Sequence, residues 1–255
     1  MRLHEVGRDA VPAADRPNGR RWHYAATWLV SAIAVRVLFR RHVEGLARLP
    51  QGPYLLCFNH QSWSDPFILL ALMPRRPRMI FFGPKEADLR IGRRNQLIAC
   101  SGMALPYRPD KTDLLGATRR VRAVFEAGRV LAIAGEGRIH AGEGTLLPLD
   151  EGAAFFAQRS GLPIVPVALN GTSWLVFGRR LRLRIGAPIA TAGRSSREDM
   201  HALTNETWQA LHALCAGYPD PLPPPAGSLW YRFTEAFNEW PEGARPAVEP
   251  PTREG

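Results

Sequence analysis

The chain has 255 residues, enough for one large domain, and its 45% apolar and 22% charged residues are typical of a folded globular protein. A net charge of +10 predicts an acidic partner: nucleic acid, an anionic membrane surface or a phosphorylated substrate. The three cysteines, Cys57, Cys100 and Cys215, are scattered among apolar residues, which excludes a disulfide framework and a zinc site and predicts core positions in a reducing compartment.

The N-terminal part of the chain predicts a membrane-associating helix at residues 22–44. Residues 1–21 are polar and rich in Arg, Asp and Pro, so we expect them to be disordered and not to be a cleavable signal peptide. Fourteen of the eighteen residues in 22–39 are apolar, and as a helix they reach about 27 Å, just short of the ~30 Å hydrocarbon core of a bilayer. The polar exceptions His23, Thr27 and Ser31 lie on one helical stripe. This pattern favours a helix lying in one leaflet, and the alternative is a helix packed on the domain's own core.

Residues 45–217 alternate between short apolar runs and amphipathic segments, which predicts a single α/β domain with a mixed, largely parallel sheet flanked by helices. The predicted strands are Tyr54–Phe58, Met79–Phe82, Val130–Ala134, Pro163–Leu169 and Leu181–Ile185. The predicted helices are Pro66–Met73, Ile91–Cys100, one that follows a cap at Asp110–Asp113 and ends at Gly128, Gly152–Ser160, and a long one that starts with a capping box at Ser195–Glu198. Two prolines favour a bent or edge position for the strand Pro163–Leu169.

The C-terminal residues 218–255 are predicted to lie outside this domain. They begin with a proline-rich, extended connector and continue with an amphipathic segment, Ser228–Trp240. That segment either docks on the domain or contacts a membrane. Residues 241–255 are predicted to be disordered.

The stretch Asn59–Asp65, Asn-His-Gln-Ser-Trp-Ser-Asp, carries the clearest signal for chemistry. It follows a predicted strand and precedes Pro66, so its polar groups lie at the open end of a sheet, with Asp65 as the N-cap of the next helix. A histidine is able to accept a proton near neutral pH, and a carboxylate on its other ring nitrogen fixes the tautomer. His60 and Asp65 therefore form a candidate base and its orienting partner.

Other catalytic patterns are excluded by the sequence. No Gly-x-Ser-x-Gly is present, no Gly-Lys-Ser/Thr closes a P-loop, and His140 breaks the dinucleotide fingerprint that Gly135 and Gly137 begin. No pair of histidines at helical spacing and no Cys-x-x-Cys offers metal ligands.

Several further polar residues follow predicted strands or short apolar runs. Lys85 follows Phe81-Phe82-Gly83-Pro84, Arg108 follows a short apolar run, and Glu136, Gly137 and Arg138 follow Val130–Ala134. Each one alone is compatible with a solvated loop charge. Because parallel strands end at a common rim, together they predict a cationic pocket beside His60, with backbone N–H groups of a glycine-rich turn available for an anion.

These blocks resemble, in order over about residues 54–171, the motifs of the PlsC-like glycerophosphate and lysophosphatidate acyltransferases. Asn59–Asp65 matches the family's Asn-His-x4-Asp motif, and Phe-Phe-Gly-Pro-Lys-Glu-Ala (81–87) with Pro-Tyr-Arg108 resembles the second. Gly-Glu-Gly-Arg (135–138) resembles the third, usually Phe-Pro-Glu-Gly-Thr-Arg, and Leu-Pro-Ile-Val-Pro-Val (162–167) fits the fourth. The third block departs from the usual pattern, with Ala134-Gly135 in place of Phe-Pro and Arg138 in place of Thr.

The resemblance implies a glycerolphosphate acyltransferase-like fold and an enzyme on the cytoplasmic face of the cell membrane. His60 would take the proton of a lysolipid hydroxyl, most simply lysophosphatidate to give phosphatidate, and Asp65 would hold its ring. The acyl donor would be acyl-CoA or acyl carrier protein, with no cofactor or metal. Lys85, Arg108, Glu136, Gly137 and Arg138 would bind the acceptor.

Two alternatives to that function are an acyltransferase for another lysolipid or an aminolipid and a non-catalytic membrane-surface protein on the same fold. Nucleic-acid binding lacks any supporting motif.

Overall fold

The computed structural model describes residues 21–85, 93–107, 114–140 and 142–238. The helices are α1 (Arg21–Leu38), α2 (Asp65–Leu72), α3 (Arg93–Ser101), α4 (Leu114–Glu126), α5 (Gly152–Ser160), α6 (Arg197–Cys215) and α7 (Leu229–Asn238). The strands are β1 (Arg40–Glu44), β2 (Leu55–Phe58), β3 (Met79–Lys85), β4 (Ala104–Tyr107), β5 (Val130–Ala134), β6 (Ile164–Asn170) and β7 (Arg180–Ile185). Residues 1–20 and 241–255 of the predicted disordered ends, the predicted helix start at Ile91 and the predicted cap at Asp110–Asp113 lie outside the described residues. Arg21, which was predicted to be disordered, is the first residue of α1.

The strands form one sheet in the order β1-β7-β6-β2-β5-β3-β4. Strands β6, β2, β5, β3 and β4 are parallel to one another, whereas β7 runs antiparallel to β6 and β1 runs parallel to β7. The predicted α/β fold with a mixed, largely parallel sheet is therefore confirmed. Strand β1 is an edge strand that pairs only with β7. It was not predicted, because it has a single apolar residue, Val43, and therefore no alternating pattern.

The strand at Pro163–Leu169 was predicted to be bent or at an edge, and the edge position is wrong. Strand β6 lies inside the sheet between β7 and β2, and all of its residues are buried. Pro166 is tolerated because its nitrogen lies where the regular β6–β7 pairing stops, and its carbonyl still accepts from the Gly186 N–H at 2.9 Å. On that side the β6–β7 ladder begins at Val167, and the preceding contact is an isolated bridge from Ile164 to Ile189.

Helix α6 has the predicted kind of cap, displaced by one residue. Ser196 is the N-cap, and its Oγ accepts from the Asp199 backbone N–H at 3.0 Å. The Asp199 carboxylate accepts in return from the Ser196 backbone N–H at 3.0 Å. Asp199 takes the role that the sequence pattern gave to Glu198, because the capping box closes on the third helical residue.

Apolar side chains pack on both faces of the sheet. One cluster lies between the sheet and helices α1, α2 and α3 and includes Phe58, Leu69 and Phe81, and the other lies under α4, α5 and α6 and includes Val124, Ala157 and Leu203. Cys57 and Cys215 are buried, as predicted. The core prediction for Cys100 is wrong, because this residue lies on the exposed side of α3.

Helix α1 packs on the domain and also leaves an apolar stripe outside. Tyr24, Ser31 and Val35 are buried, so part of the polar stripe faces the protein instead of water. The outward stripe is Trp22, Leu29, Val30, Ile33 and Val37, each more than half exposed. In the part of the chain that the structure describes, no helix is long and apolar enough to cross a bilayer.

Candidate active site

The turn between β2 and α2 brings His60 and Asp65 together. His60 Nδ1 lies 2.9 Å from Asp65 Oδ2, and the two side chains are 19% and 1% exposed. No described residue forms a hydrogen bond with Nε2 of His60. Because the carboxylate accepts a hydrogen bond, the network assigns the ring proton to Nδ1 and leaves the Nε2 lone pair available to accept another proton.

Asp65 is fixed by the turn that precedes it. Its Oδ2 also accepts from the backbone N–H groups of Gln61, at 2.7 Å, and Ser62, at 2.9 Å. The prediction of Asp65 as N-cap is displaced by one residue, since Ser64 is the N-cap and Asp65 is the first residue of α2. The carboxylate therefore turns back toward the loop instead of capping the helix, and one oxygen accepts all three bonds while Oδ1 is buried without a partner.

Asn59 ties the start of the turn to the neighbouring strand. Its Nδ2 donates to the Leu169 carbonyl at 2.9 Å, and its Oδ1 accepts from the Leu169 N–H at 2.8 Å. The side-chain amide thus continues the β2–β6 hydrogen-bonding pattern where the β2 backbone leaves the sheet. This pair of bonds sets the position from which His60 projects.

Glu136 contacts the same turn from behind. It is buried, with one carboxylate oxygen accepting from the His60 backbone N–H at 2.8 Å and the other from the Leu147 N–H at 2.8 Å. Nε2 of His140 lies 2.6 Å from Oε1, and the His140 N–H donates to the His60 carbonyl at 3.1 Å. Both oxygens of Glu136 are therefore taken by the protein, which places the carboxylate behind His60 and away from open space.

Gly137 and Arg138 lie at the exposed tip of the turn after β5. Gly137 has φ +65°, and a Cβ added there would lie 2.1 Å from Asp150 Oδ2. The strand order places the ends of β2, β5, β3 and β4 next to one another, so Lys85, the last residue of β3, lies on the same rim. Arg108 lies outside the described residues.

Glu143 was not identified from the sequence, although it is the most buried carboxylate of the glycine-rich segment 135–144 that follows β5. Its Oε2 accepts from the Gly171 N–H at 2.7 Å, and its Oε1 accepts from the N–H and hydroxyl of Ser173 at 2.9 and 2.7 Å. Burial raises the pKa of Glu143 to about 7, and these hydrogen bonds offset part of that rise. Its flanking glycines suggested only a loop, and no local pattern marks the loop after β6 as its partner.

Asn238, near the end of the described chain, also holds the turn. Its Oδ1 accepts from the Ser62 hydroxyl at 2.8 Å and the Trp63 N–H at 3.2 Å, and its Nδ2 donates to the Ser173 carbonyl at 3.3 Å. Helix α7 therefore docks on the domain, which was one of the two alternatives for this segment. Its ring contacts are Trp230 with Phe39 and Tyr231 with Trp174.

Cys57 lies close in sequence to His60 but does not act as a nucleophile. It is buried, and burial raises the pKa of its thiol to about 12. Among the described residues, no group of three or more His, Cys, Asp or Glu is placed to hold a metal ion. The chemistry that this geometry offers is general-base catalysis by Nε2 of an oriented imidazole at the rim of a parallel sheet.

Comparison with known proteins places the chain among acyltransferases. A family model described as acyltransferase matches residues 40–170. A Saccharomyces cerevisiae protein named 1-acyl-sn-glycerol-3-phosphate acyltransferase is 31% identical over 158 residues, covering 58% of this chain and 51% of that protein. The chloroplastic 1-acyl-sn-glycerol-3-phosphate acyltransferase BAT2 of Brassica napus is 26% identical over 155 residues, covering 60% and 44%. The chain thus spans about half the length of these curated relatives or less.

A solved structure has the same fold. The crystal structure of the 1-acyl-sn-glycerophosphate acyltransferase PlsC from Thermotoga maritima aligns with a TM-score of 0.59 at 20% identity, over 76% of this chain and 80% of that one. The two chains therefore share one α/β fold. The chain belongs to the acyltransferase family.

Proposed function

We propose that this protein transfers a fatty acyl group from a thioester donor to the free hydroxyl of 1-acyl-sn-glycerol-3-phosphate, which gives phosphatidate for phospholipid synthesis. The observation that carries the proposal is the imidazole of His60, held at Nδ1 by Asp65 and open at Nε2. The names of the relatives support the choice of acceptor.

In the proposed reaction, His60 Nε2 removes the hydroxyl proton of the acceptor while the hydroxyl oxygen bonds to the thioester carbonyl carbon. The buried Asp65 stabilises the imidazolium that forms, because its Oδ2 remains hydrogen-bonded to the Nδ1–H. The tetrahedral intermediate then expels the thiolate of CoA or acyl carrier protein, and Nε2 returns the proton to this leaving group. General-base assistance of this kind accelerates a reaction by about 10²- to 10⁴-fold. The steps use no cofactor other than the acyl donor as substrate.

The phosphate of the acceptor is assigned to the rim beside His60. Arg138 supplies positive charge from the exposed tip of the turn, and Gly137 lets the backbone approach an anion closely. Lys85 and Arg108 are proposed to contribute to the same phosphate or to the developing oxyanion. Glu136 is assigned a different role from direct contact with the acceptor, since both of its oxygens are engaged: it positions the His60 backbone.

We also propose that α1 places the domain on the cytoplasmic face of a membrane, where an acceptor with an acyl chain resides. The outward apolar stripe of this helix, followed by Arg40 and Arg41, has the composition of a helix that lies in the bilayer interface. Glutamate at both Ile33 and Val37 would introduce two charges into this stripe. The double variant should co-sediment with vesicles less than the parent protein, and equal co-sedimentation would refute this assignment.

The acceptor is tested with a radiolabelled acyl thioester and a panel of lysolipids. The panel contains lysophosphatidate, lysophosphatidylcholine, lysophosphatidylethanolamine and a phosphate-free aminolipid. We expect labelled phosphatidate as the main product with the parent protein. A different labelled diacyl lipid would assign another acceptor to the same chemistry. No transfer to any member, from acyl-CoA or from acyl carrier protein, would favour a non-catalytic protein on this fold.

A further inference from the structure

A cleft with a volume of about 400 Å³ lies at the edge of the sheet formed by β1 and β7. Its lining includes Arg40, Phe177, Arg179, Arg180 and Tyr218, and we call it the arginine cleft. Strands β1 and β7 run antiparallel to β6, so they begin at the rim where β2 ends in the His60 turn. Strand β7 is two strands away from β2, which corresponds to roughly 10 Å across the sheet.

The other two arginines of β7 have structural partners. Arg184 donates to the Leu214 carbonyl at 2.8 Å and lies 3.5 Å from a carboxylate oxygen of Glu44. Arg182 donates to the Cys215 carbonyl at 3.3 Å. Both side chains therefore cover carbonyl groups at the C-terminal end of α6, a common use of arginine in folded proteins.

The arginines of the cleft, unlike Arg182 and Arg184, have few structural partners. Arg40 and Arg180 are exposed and lie directly opposite each other in the parallel β1–β7 pair, so their side chains project on the same side of the sheet. Like charges directly opposite on adjacent strands are destabilising. Among the described residues, no carboxylate pairs with Arg40, Arg179 or Arg180. Arg179 donates through Nη2 to the Leu222 carbonyl at 3.1 Å, and its buried Nε has no partner.

We propose that the arginine cleft binds a phosphate group, which bridges Arg40 and Arg180 and relieves their repulsion. Guanidinium groups recognise phosphate through paired hydrogen bonds, which suits two arginines on neighbouring strands. The location allows two sources of this group. One is the headgroup of an anionic lipid, because the cleft adjoins the C-terminal end of α1, where the Gly178 N–H donates to the Leu38 carbonyl at 2.7 Å. The side chains of Arg40 and Arg180 themselves project on the α6 face of the sheet, as those of Arg182 and Arg184 do. The other source is the nucleotide phosphates of an acyl-CoA donor whose thioester reaches His60. Only the choice of source rests on the proposed function.

Phosphate binding is tested by calorimetry with pyrophosphate on the full chain and on the double variant Arg40→Gln/Arg180→Gln. The control is Arg119→Gln/Arg197→Gln, which removes the same two charges from exposed positions on α4 and α6. We expect the cleft variant to bind pyrophosphate at least about tenfold more weakly than the control, since two charge-assisted hydrogen bonds are lost. Its melting temperature should be no lower than that of the control, because the like-charge pair is gone. Equal binding by the two variants would overturn the proposal.

The source is decided with the same two variants. If the group is a lipid headgroup, co-sedimentation with vesicles containing phosphatidylglycerol falls in the cleft variant, and binding to pure phosphatidylcholine vesicles does not change. If the group belongs to the donor, binding of adenosine 3′,5′-bisphosphate weakens and the KM for acyl-CoA rises at unchanged kcat. The nucleotide and vesicle measurements need no turnover, so an inactive protein would refute the proposed function without affecting them. If the cleft variant loses pyrophosphate binding but neither its vesicle co-sedimentation nor its donor binding changes, both sources would be ruled out.

Discussion

Replacing Asn238 with alanine is expected to loosen the turn that carries His60, although the two residues are far apart in sequence. The substitution removes an acceptor from the Ser62 hydroxyl and the Trp63 N–H, and a donor from the Ser173 carbonyl, at 2.8, 3.2 and 3.3 Å. A hydrogen bond contributes a net ~1 kcal/mol to stability. Because two of the three bonds are long and the Ser62 hydroxyl keeps Ser64 as a partner, the loss of stability amounts to about 2 kcal/mol. If the variant must supply this free energy to order the turn in the transition state, kcat/KM falls by up to roughly 30-fold.

The assay combines urea denaturation with acyl-transfer kinetics. Asn238→Asp keeps the acceptor oxygen but places a second carboxylate oxygen against the Ser173 carbonyl in a buried site, so it should be at least as disruptive as alanine. Arg232→Ala, on the exposed side of the same helix, is the control and should change the free energy of unfolding by no more than ~0.5 kcal/mol. Asn238→Ala with the stability and kcat/KM of the control would refute the argument that α7 holds the active-site turn.

Three further predictions follow from the site. Asp65→Asn should lower kcat by about 10²- to 10⁴-fold, measured with saturating substrates, because His60 loses its charged partner; an activity within tenfold of the parent would contradict this. Gly137→Ala should destabilise the protein by about 1 kcal/mol in denaturant titrations, mainly through its positive φ, because the Asp150 side chain is exposed and can move; an unchanged midpoint would be inconsistent with this turn. Burial raises the pKa of Glu143 from its ordinary value of 4.5 to about 7. Between these two pH values the folded protein holds a proton that the unfolded chain releases, so the contribution of Glu143 to stability decreases as the pH rises from about 4.5 to 7. The stability difference between the parent and Glu143→Gln should change by up to about 3 kcal/mol over that range, and a pH-independent difference would show that the carboxylate is already ionised.

The fold was predictable where local pattern and tertiary context agree. Helix α5 has its predicted bounds, because Gly152 and Gly161 delimit one amphipathic segment. Strand β6 was misplaced because its position depends on a gap in the neighbouring ladder opposite Pro166, and a single strand's sequence does not record where its partner ends. Strand β1 escaped notice for a related reason, since an exposed edge strand needs little apolar pattern.

The candidate site was predictable where its residues are consecutive. His60 and Asp65 are five residues apart, and a strand–turn–helix pattern was enough to bring them together. The residues that hold the turn come from distant parts of the chain. Asn238 is separated from Ser62 by 176 positions, and Glu143 is separated from Ser173 by 30. Single polar side chains such as those of Asn238 and Glu143 follow no periodic pattern in the sequence, so their hydrogen-bond partners are identified only from the folded structure.

The role of Glu136 illustrates the same limit. Its place in Gly-Glu-Gly-Arg indicated a group near the substrate, and the strand order does bring it next to the His60 turn. Which way a carboxylate points is decided by the donors around it, here the His60 and Leu147 N–H groups. Sequence alone identified the neighbourhood of this residue but not its orientation.

The most direct test of acyl transfer by His60 is the turnover of His60→Ala with acyl-CoA and lysophosphatidate. His201→Ala is the matched control, since His201 is an exposed histidine on α6 whose side chain pairs with Glu151. Circular dichroism and urea denaturation establish that both variants are folded. We expect that His60→Ala loses at least about 10²-fold in kcat and that the control retains the parent rate. A folded His60→Ala protein with near-parental turnover would contradict this expectation.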